Sequence, residues 1–285
     1  MKLTVDADKC TMCGWCIPTC PSEMVRSKGD FIKIGRVACI ECGHCAAICP
    51  TGAIVDEEGG ELASAPVSAV EPEALTDLMR TRRTVRRYTD EPVLREEIEA
   101  ILQAAAWVPT AANCQPQEYV VLTDPAQVAE LREKVEAHYR AFGEALADKD
   151  HREARLAALG ADPQTATHPH MLAAVPAFVK AVDAGRDRLF FDAPVVIVIH
   201  AADDQVMPES ACHYATFAIT LVAWARGLGT CVTGYASDAL RIRPDLREHL
   251  GIRPGNQVHA VVVLGHPAED FTRIPARRPP LVDWR

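Results

Sequence analysis

Cys10-Thr11-Met12-Cys13-Gly14-Trp15-Cys16-Ile17-Pro18-Thr19-Cys20-Pro21 returns 29 residues later as Cys39-Ile40-Glu41-Cys42-Gly43-His44-Cys45-Ala46-Ala47-Ile48-Cys49-Pro50. Each copy reads C-x2-C-x2-C-x3-C-P. Three thiolates at that spacing wrap one face of an iron–sulfur cubane, and the fourth, before the proline, is displaced toward the other cluster. The spacing therefore assigns Cys10, Cys13, Cys16 and Cys49 to one 4Fe–4S cluster and Cys39, Cys42, Cys45 and Cys20 to a second. Structural zinc is the alternative, but zinc sites place two C-x2-4-C knuckles well apart, unlike these two sets of four. Gly14 and Gly43 suit compact backbone against a cluster, and Pro21 and Pro50 turn the chain back.

Over residues 1–55 this segment resembles two-cluster bacterial ferredoxins. The resemblance implies a ferredoxin-like domain, placed at 1–58, and one-electron transfer without substrate chemistry of its own. The rest of the composition is that of an ordinary globular chain: 285 residues, 48% hydrophobic and 24% charged. A net charge of −9 disfavours sequence-independent nucleic-acid binding, which needs cationic surface. The longest apolar runs, such as Ala193–Ile199 and Val258–Leu264, are strand-length and too short to span a bilayer. Eight of the eleven cysteines fall in the first 49 residues and the N-terminus has no apolar signal region, so a reduced cytoplasmic location is expected rather than a disulfide framework.

Residues 56–70 are rich in Gly, Ala, Ser and acid, which places a linker at 59–72. Beyond it, helical periods alternate with short β-branched runs. Ile98, Ile101, Leu102 and Ala105 mark one helix face. Glu118–Thr123 reads as a strand and Pro125–Leu146 as a helix. Residues 148–185, polar and broken by Pro163, Pro169 and Pro176, read as an insertion or lid. Pro194–His200 is a buried strand, Pro208–Arg226 a long helix, and Thr230–Thr233 and Val258–Leu264 strands with one helix near Asp238–Leu250 between them. The tail from Phe271 is expected to be extended.

Two stretches of this second region carry chemistry. Arg80, Arg82, Arg83, Arg86 and Arg87 cluster around Thr84, as a solvated basic face or as a phosphate site of guanidinium forks and a hydroxyl. Trp107–Pro116 is either a helix-to-strand turn with a capping Asn or a loop whose Asn113 and Gln115 offer donors and acceptors to a polar ring edge. Together, Arg82-Arg83-Thr84-Val85-Arg86-Arg87-Tyr88, Pro109-Thr110-Ala111-Ala112-Asn113-Cys114-Gln115-Pro116, Gly227–Tyr235 and Arg277-Arg278-Pro279 resemble, in order, the flavin-binding signature of the nitroreductase family.

That resemblance covers 73–285 apart from the insertion. It implies an α+β fold with a central, mainly antiparallel sheet flanked by helices, an intimate homodimer, and FMN at the subunit interface. Carried over to this sequence, it places Arg82, Arg83 and Thr84 at the start of the motif, with Arg82 and Thr84 near the phosphate. Arg86 falls near flavin N1 and the C2 carbonyl. Pro109, Thr110, Ala111 and Asn113 form the loop offered by the partner subunit. Thr233 and Gly234 face the ring, and Arg277 and Arg278 approach the phosphate. The chain departs from the family pattern at Thr110 and Ala111, where Ser is common, at Thr233, where many relatives have Glu, and at Gln117, where many have Trp.

The expected function is that of an FMN- and iron–sulfur-dependent oxidoreductase. It passes electrons from a low-potential donor such as reduced ferredoxin through two 4Fe–4S clusters to FMN and on to a small electron-poor acceptor, a nitroaromatic, quinone or activated alkene, with NAD(P)H as a further donor that would act directly over the flavin. The flavin carries the chemistry, so no catalytic side chain is assigned. The alternatives are an electron-transfer component without its own substrate, a flavin-dependent dehydrogenase running toward the clusters, and a sensing protein with structural clusters. No G-x-G-x-x-G follows a strand, so no Rossmann nicotinamide site is expected. Cys114, Cys212 and Cys231 read as buried inert thiols, His168 and His170 as solvated loop residues, and His213 and Tyr214 as packing or interface residues.

Overall fold

The computed structural model describes residues 2–57, 63 and 70–285. Apart from residues 63 and 70–72, the expected linker lies outside the described residues. The chain divides into two compact units, one running to Val70 and including Thr110–Cys114, the other formed by Glu71–Pro109 and Gln115–Arg285.

The first unit is built around its repeat. Strands β1 (Leu3–Val5), β2 (Val25–Lys28) and β3 (Phe31–Ile34) and helices α1 (Cys16–Thr19) and α2 (His44–Ala47) lead to β4 (Ile54–Asp56). β1 pairs with β4, and β2 with β3, both antiparallel. A small apolar core of Leu3, Val25, Ile32 and Ile54 backs the cysteine loops.

The second unit begins with α3 (Pro72–Thr81), α4 (Arg95–Ala105), β5 (Glu118–Leu122) and α5 (Pro125–Ala147), followed by α6 (Arg152–Ala158), α7 (Pro163–Ala166) and α8 (Pro169–Asp183). It continues through β6 (Val195–Ala202), α9 (Pro208–Ala225), β7 (Gly229–Val232), α10 (Gly234–Ile242), α11 (Pro244–His249) and β8 (Asn256–Gly265). The sheet runs β5-β6-β8-β7 and is antiparallel throughout, the α+β arrangement expected. β6 is apolar at nearly every position because both its faces are covered. Val195, Ile197 and Ile199 meet Ile98 and Ile101 of α4 and Ile219 of α9. Val196 and Val198 meet Leu131 and Val135 of α5 and Phe178 of α8 on the opposite face.

Two sequence expectations change. The 148–185 stretch is helical: Pro163 and Pro169 open α7 and α8 at the position where a missing N–H costs nothing, and Pro176 is tolerated inside α8. The helix expected near 238–250 is two helices. α10 ends at Ile242 and Pro244 starts α11, because proline cannot continue the hydrogen-bond ladder. His168 is an exposed cap, its Nδ1 accepting the His170 N–H at 3.3 Å, and His170 is exposed within α8. Cys212 and Cys231 are buried, and burial pushes the Cys212 thiol up to about 12. Cys114 is only half-buried. Residues 271–285 hold no regular structure and are exposed. Among the described residues no helix is long and apolar enough to cross a membrane.

Buried His138 makes stability depend on pH. It is 2% exposed, packs against Tyr139 and Phe142, and has Arg243 Nη1 3.4 Å from its Nδ1. Burial, then the Arg243 charge, brings its pKa down to about 4. The unfolded chain takes up a proton below about 6.5 whereas the folded one resists until about 4, so stability is lost as pH falls through that window and levels off below it. The full effect is on the order of 3 kcal/mol at ~1.4 kcal/mol per unit. Thermal unfolding at pH 7 and pH 4.5 should show the loss, and His138→Gln should remove most of it. An equally steep fall in the variant would assign the loss to other groups.

Candidate functional site

In the first unit the two cysteine loops place their sulfurs around two separate spaces. One is lined by Cys10, Cys13, Cys16 and Cys49, and the other by Cys20, Cys39, Cys42 and Cys45. This is the crossed arrangement the spacing predicts: the last cysteine of each copy lies with the other copy's first three. Electrostatics give the same partition. Burial raises the Cys16 thiol, aided by Cys13, Cys49 and Cys10; burial raises Cys45 to about 11, aided by Cys20, Cys42 and Cys39. The crossing cysteines receive backbone donors, Met24 N–H to Cys20 Sγ at 3.2 Å and Ala53 N–H to Cys49 Sγ at 3.3 Å. Burial alone would raise both thiols, yet these donors and their neighbours take both below the ordinary value. Among the described residues no three His, Cys, Asp or Glu side chains close in as they would around a single metal ion.

Gly14 and Gly43 have φ of 75° and 74°, and Met12 and Glu41, one residue before the second cysteine of each copy, also lie in the left-handed region. The repeat thus bends each loop identically. Thr110–Cys114 counts with this unit as a short 3-10 turn. Asn113 Nδ2 donates to the Glu41 carbonyl at 3.1 Å, and Ala112, Asn113 and Gln115 all have positive φ. Three such non-glycine residues close together are strained backbone, each costing roughly 1 kcal/mol or more.

In the second unit, the arginine-rich segment is laid along the sheet. Val85 N–H donates to Thr230 O at 2.9 Å, Thr84 bridges Thr230, and Thr89 N–H donates to His266 O at 2.9 Å. Gly229 allows this approach, since a Cβ there would stand 2.6 Å from Val85 Cγ2. Arg82 is half-buried, and its pKa is held down by burial and then by the like charges of Arg83 and Arg277. Arg83 instead donates to the carbonyls of Arg80 (2.7 Å), Arg82 (2.6 Å) and Arg273 (3.4 Å), so it braces the turn. Arg278 is exposed in the tail.

Arg86 leads into a cavity of about 790 Å³, whose walls include Phe178, Arg186, Arg188, Phe191, Cys231, Thr233, Gly234 and Tyr235. Its guanidinium lies 5.8 Å from the Phe191 ring centre, a cation–π contact. Burial raises the Cys231 thiol and Arg86 opposes the shift. Thr233 N–H is committed to Val261 O at 2.9 Å, while its Oγ1 is buried with no partner among the described residues. Gly234 opens α10, where the N–H groups of a first turn lack helical partners. The structure therefore brings Arg86, Thr233 and Gly234 to one cavity and gathers Arg82, Arg83 and Arg277. It places Thr110, Ala111 and Asn113 with the first unit, and Pro109 is exposed. A cavity of about 820 Å³ between α5 and α8, lined by Leu172, Pro176 and Val179 with charges at its rim, holds none of the predicted residues.

The residues that sequence reasoning missed are Arg186, Arg188 and Phe191. Their signal was faint but physical. Gly185, at φ 74°, ends α8, and Arg186 N–H returns to Ala181 O at 3.1 Å, so Gly185-Arg186-Asp187-Arg188 is a helix stop followed by a charged turn.

Comparisons with known proteins agree with this architecture. The chain belongs to the nitroreductase family, whose pattern matches residues 79–266, and a 4Fe-4S dicluster domain matches residues 2–50. It is thus an oxidoreductase of that family with a ferredoxin module fused at its N-terminal side. It is 30% identical over 208 residues to chloronitrobenzene nitroreductase of Comamonas testosteroni and, over the same length, to nitrobenzene nitroreductase of Ectopseudomonas oleovorans. Each alignment covers 67% of this chain and 86% of the relative. A crystal structure of a nitroreductase with bound FMN from Bacteroides fragilis shares the fold at a TM-score of 0.51 and 18% identity, over 73% of this chain and 98% of that one.

Proposed function

We propose that the protein takes single electrons from a low-potential donor such as reduced ferredoxin, at two 4Fe–4S clusters held by Cys10, Cys13, Cys16, Cys49 and by Cys39, Cys42, Cys45, Cys20. It delivers them, by way of FMN, to a small electron-poor acceptor: a nitroaromatic, quinone or activated alkene. When bound, FMN supplies the conversion between one-electron input and two-electron delivery. The observation that carries the reading is the joint presence, in one chain, of two crossed cysteine quartets and a cavity lined by Arg86, Thr233 and Gly234.

The residues fit FMN. The orphaned Thr233 Oγ1 and the first-turn N–H of Gly234 offer polar contacts to a ring edge, and Arg86 supplies positive charge near it. Arg82 and Arg277, like charges held together, favour an intervening phosphate, with Thr84 and Arg278 adding donors and Arg83 bracing the turn. Pro109, Thr110, Ala111 and Asn113 are assigned to the same cofactor through a homodimer, as the family resemblance implies. The exposed face of α9 favours that dimer: Tyr214 and Phe217 are about half exposed on a helix whose other face is core. The relatives' names, which specify nitrobenzenes, favour a nitroarene among the acceptor classes.

The test is anaerobic turnover of the iron-reconstituted, FMN-loaded protein with reduced ferredoxin and, separately, NAD(P)H, against nitroarenes, quinones and enoates. Ferredoxin-driven reduction of at least one class is expected. Turnover with NAD(P)H but none with ferredoxin would overturn the donor assignment. No turnover with any acceptor would favour an electron-transfer component.

A further inference from the structure

We propose that the acceptor is an aromatic anion, a carboxylate-bearing ring, seated by Arg186 and Arg188. This rests on the reading above of the cavity as the place of reduction. Three guanidinium groups, Arg86, Arg186 and Arg188, line the cavity, and no Asp or Glu is among its lining residues. Among the described residues neither Arg186 nor Arg188 is ion-paired, although Arg132, Arg140 and Arg155 on the neighbouring helices all are.

A merely solvated basic turn needs no internal scaffold, and this one is firmly built. Asp187, between the two arginines, is 3% exposed in its side chain and points inward. Its carboxylate accepts the N–H groups of Leu189 (2.8 Å), Phe190 (2.8 Å) and Asp192 (3.0 Å) and pairs with Arg132 at 3.4 Å. The clip holds Phe191 and Asp192 at φ of 60° and 56°, a conformation that bulky residues avoid and that persists where the surroundings enforce it. The result is a rigid turn that carries a cation on each side of the buried Asp187. Phe178 and Tyr235 also line the cavity, their ring centres 4.6 Å apart. Aromatic wall plus paired guanidinium is the complement of a flat ring with a carboxylate. A neutral nitroarene would leave both arginines, which are exposed, to water alone.

The same charge could serve the pyrophosphate of a nicotinamide dinucleotide, so the test separates the two. Benzoate, benzamide and ADP-ribose are titrated by calorimetry into the FMN- and cluster-loaded protein, a readout that needs no turnover. Benzoate is expected to bind about tenfold or more tightly than benzamide. Arg186→Gln/Arg188→Gln should lose that preference and Arg186→Lys/Arg188→Lys should recover part of it. In parallel, the ratio of kcat/KM for 4-nitrobenzoate over nitrobenzene should fall about tenfold or more in the Gln variant. Equal binding of benzoate and benzamide, benzoate binding unchanged in the Gln variant, or arginine-dependent binding of ADP-ribose alone would each overturn the proposal. Arginine-dependent benzoate binding with no reduction of either nitro compound would uphold the anion site and sink the reductase reading instead.

Discussion

Replacing Cys42 and Cys45 together by Ser lowers ferredoxin-driven acceptor reduction by about 100-fold or more and removes one cluster's share of the iron, while the second unit stays folded. The size follows from what is lost. Cys42 and Cys45 line the same space as Cys39 and Cys20, and two remaining thiolates do not hold a cubane. Without that cluster the two-centre relay is broken, and the tethered supply, at an effective concentration on the order of millimolar, no longer runs through both centres. The crossing makes a finer prediction. Cys20→Ser should damage the cluster of the second copy, and Cys49→Ser that of the first, opposite to their positions in sequence. Iron content, visible absorbance and steady-state rates with reduced ferredoxin check both. Unchanged ferredoxin-driven rates in the Cys42/Cys45 variant would sever that cluster from the reaction and overturn the two-cluster wiring.

Gly229→Ala should cost both stability and FMN. The added Cβ would lie 2.6, 2.7 and 2.9 Å from three side-chain atoms of Val85, closer than packed carbon atoms come. Val85 is 1% exposed and β-branched, so it cannot swing away, and its N–H is bonded to Thr230 O. The arginine segment must move instead. Overpacking of this kind costs about 1–3 kcal/mol. Arg82, Thr84 and Arg86 ride on the displaced segment, so FMN affinity should fall about tenfold or more as well. Gly143→Ala makes a clean contrast. Its Cβ would meet Val179 at an ordinary 3.5 Å inside α5, and removing a helical glycine should be neutral or stabilising by up to about 1 kcal/mol. Thermal unfolding and FMN titration read both, and Val85→Ala should rescue Gly229→Ala only in part, because Val85 Cβ itself would stand 2.7 Å from the added Cβ. Wild-type FMN affinity in Gly229→Ala would show that the segment's approach to β7 does not position the cofactor.

The grouping of the eight cysteines was legible because most of its information is local. The first three cysteines of each copy lie within seven residues of each other, and the expected crossing of Cys20 and Cys49 follows from the same spacing. The sheet was legible too, since β6 carries the apolar run Val195–Ile199 and β8 the run Ala260–Leu264. The arginine segment needed family resemblance: its composition fits a solvated face as well as a phosphate site, and its contact with Thr230 of β7 is long-range and leaves no local pattern. The turn at Arg186–Asp192 was hidden for another reason. Its function depends on a buried carboxylate gathering backbone N–H groups, which leaves no periodicity to read. Proline misled in both directions, opening α7 and α8 where a break was expected and dividing α10 from α11 where one helix was expected.

The most direct test of the wiring is a single turnover followed by rapid-freeze electron paramagnetic resonance, with reduced ferredoxin mixed anaerobically against the loaded protein and its acceptor. The account predicts that the reduced-cluster signal rises first and then decays at the rate at which acceptor product forms. Product forming at full rate before any cluster signal, or clusters that stay reduced while product accumulates, would contradict it.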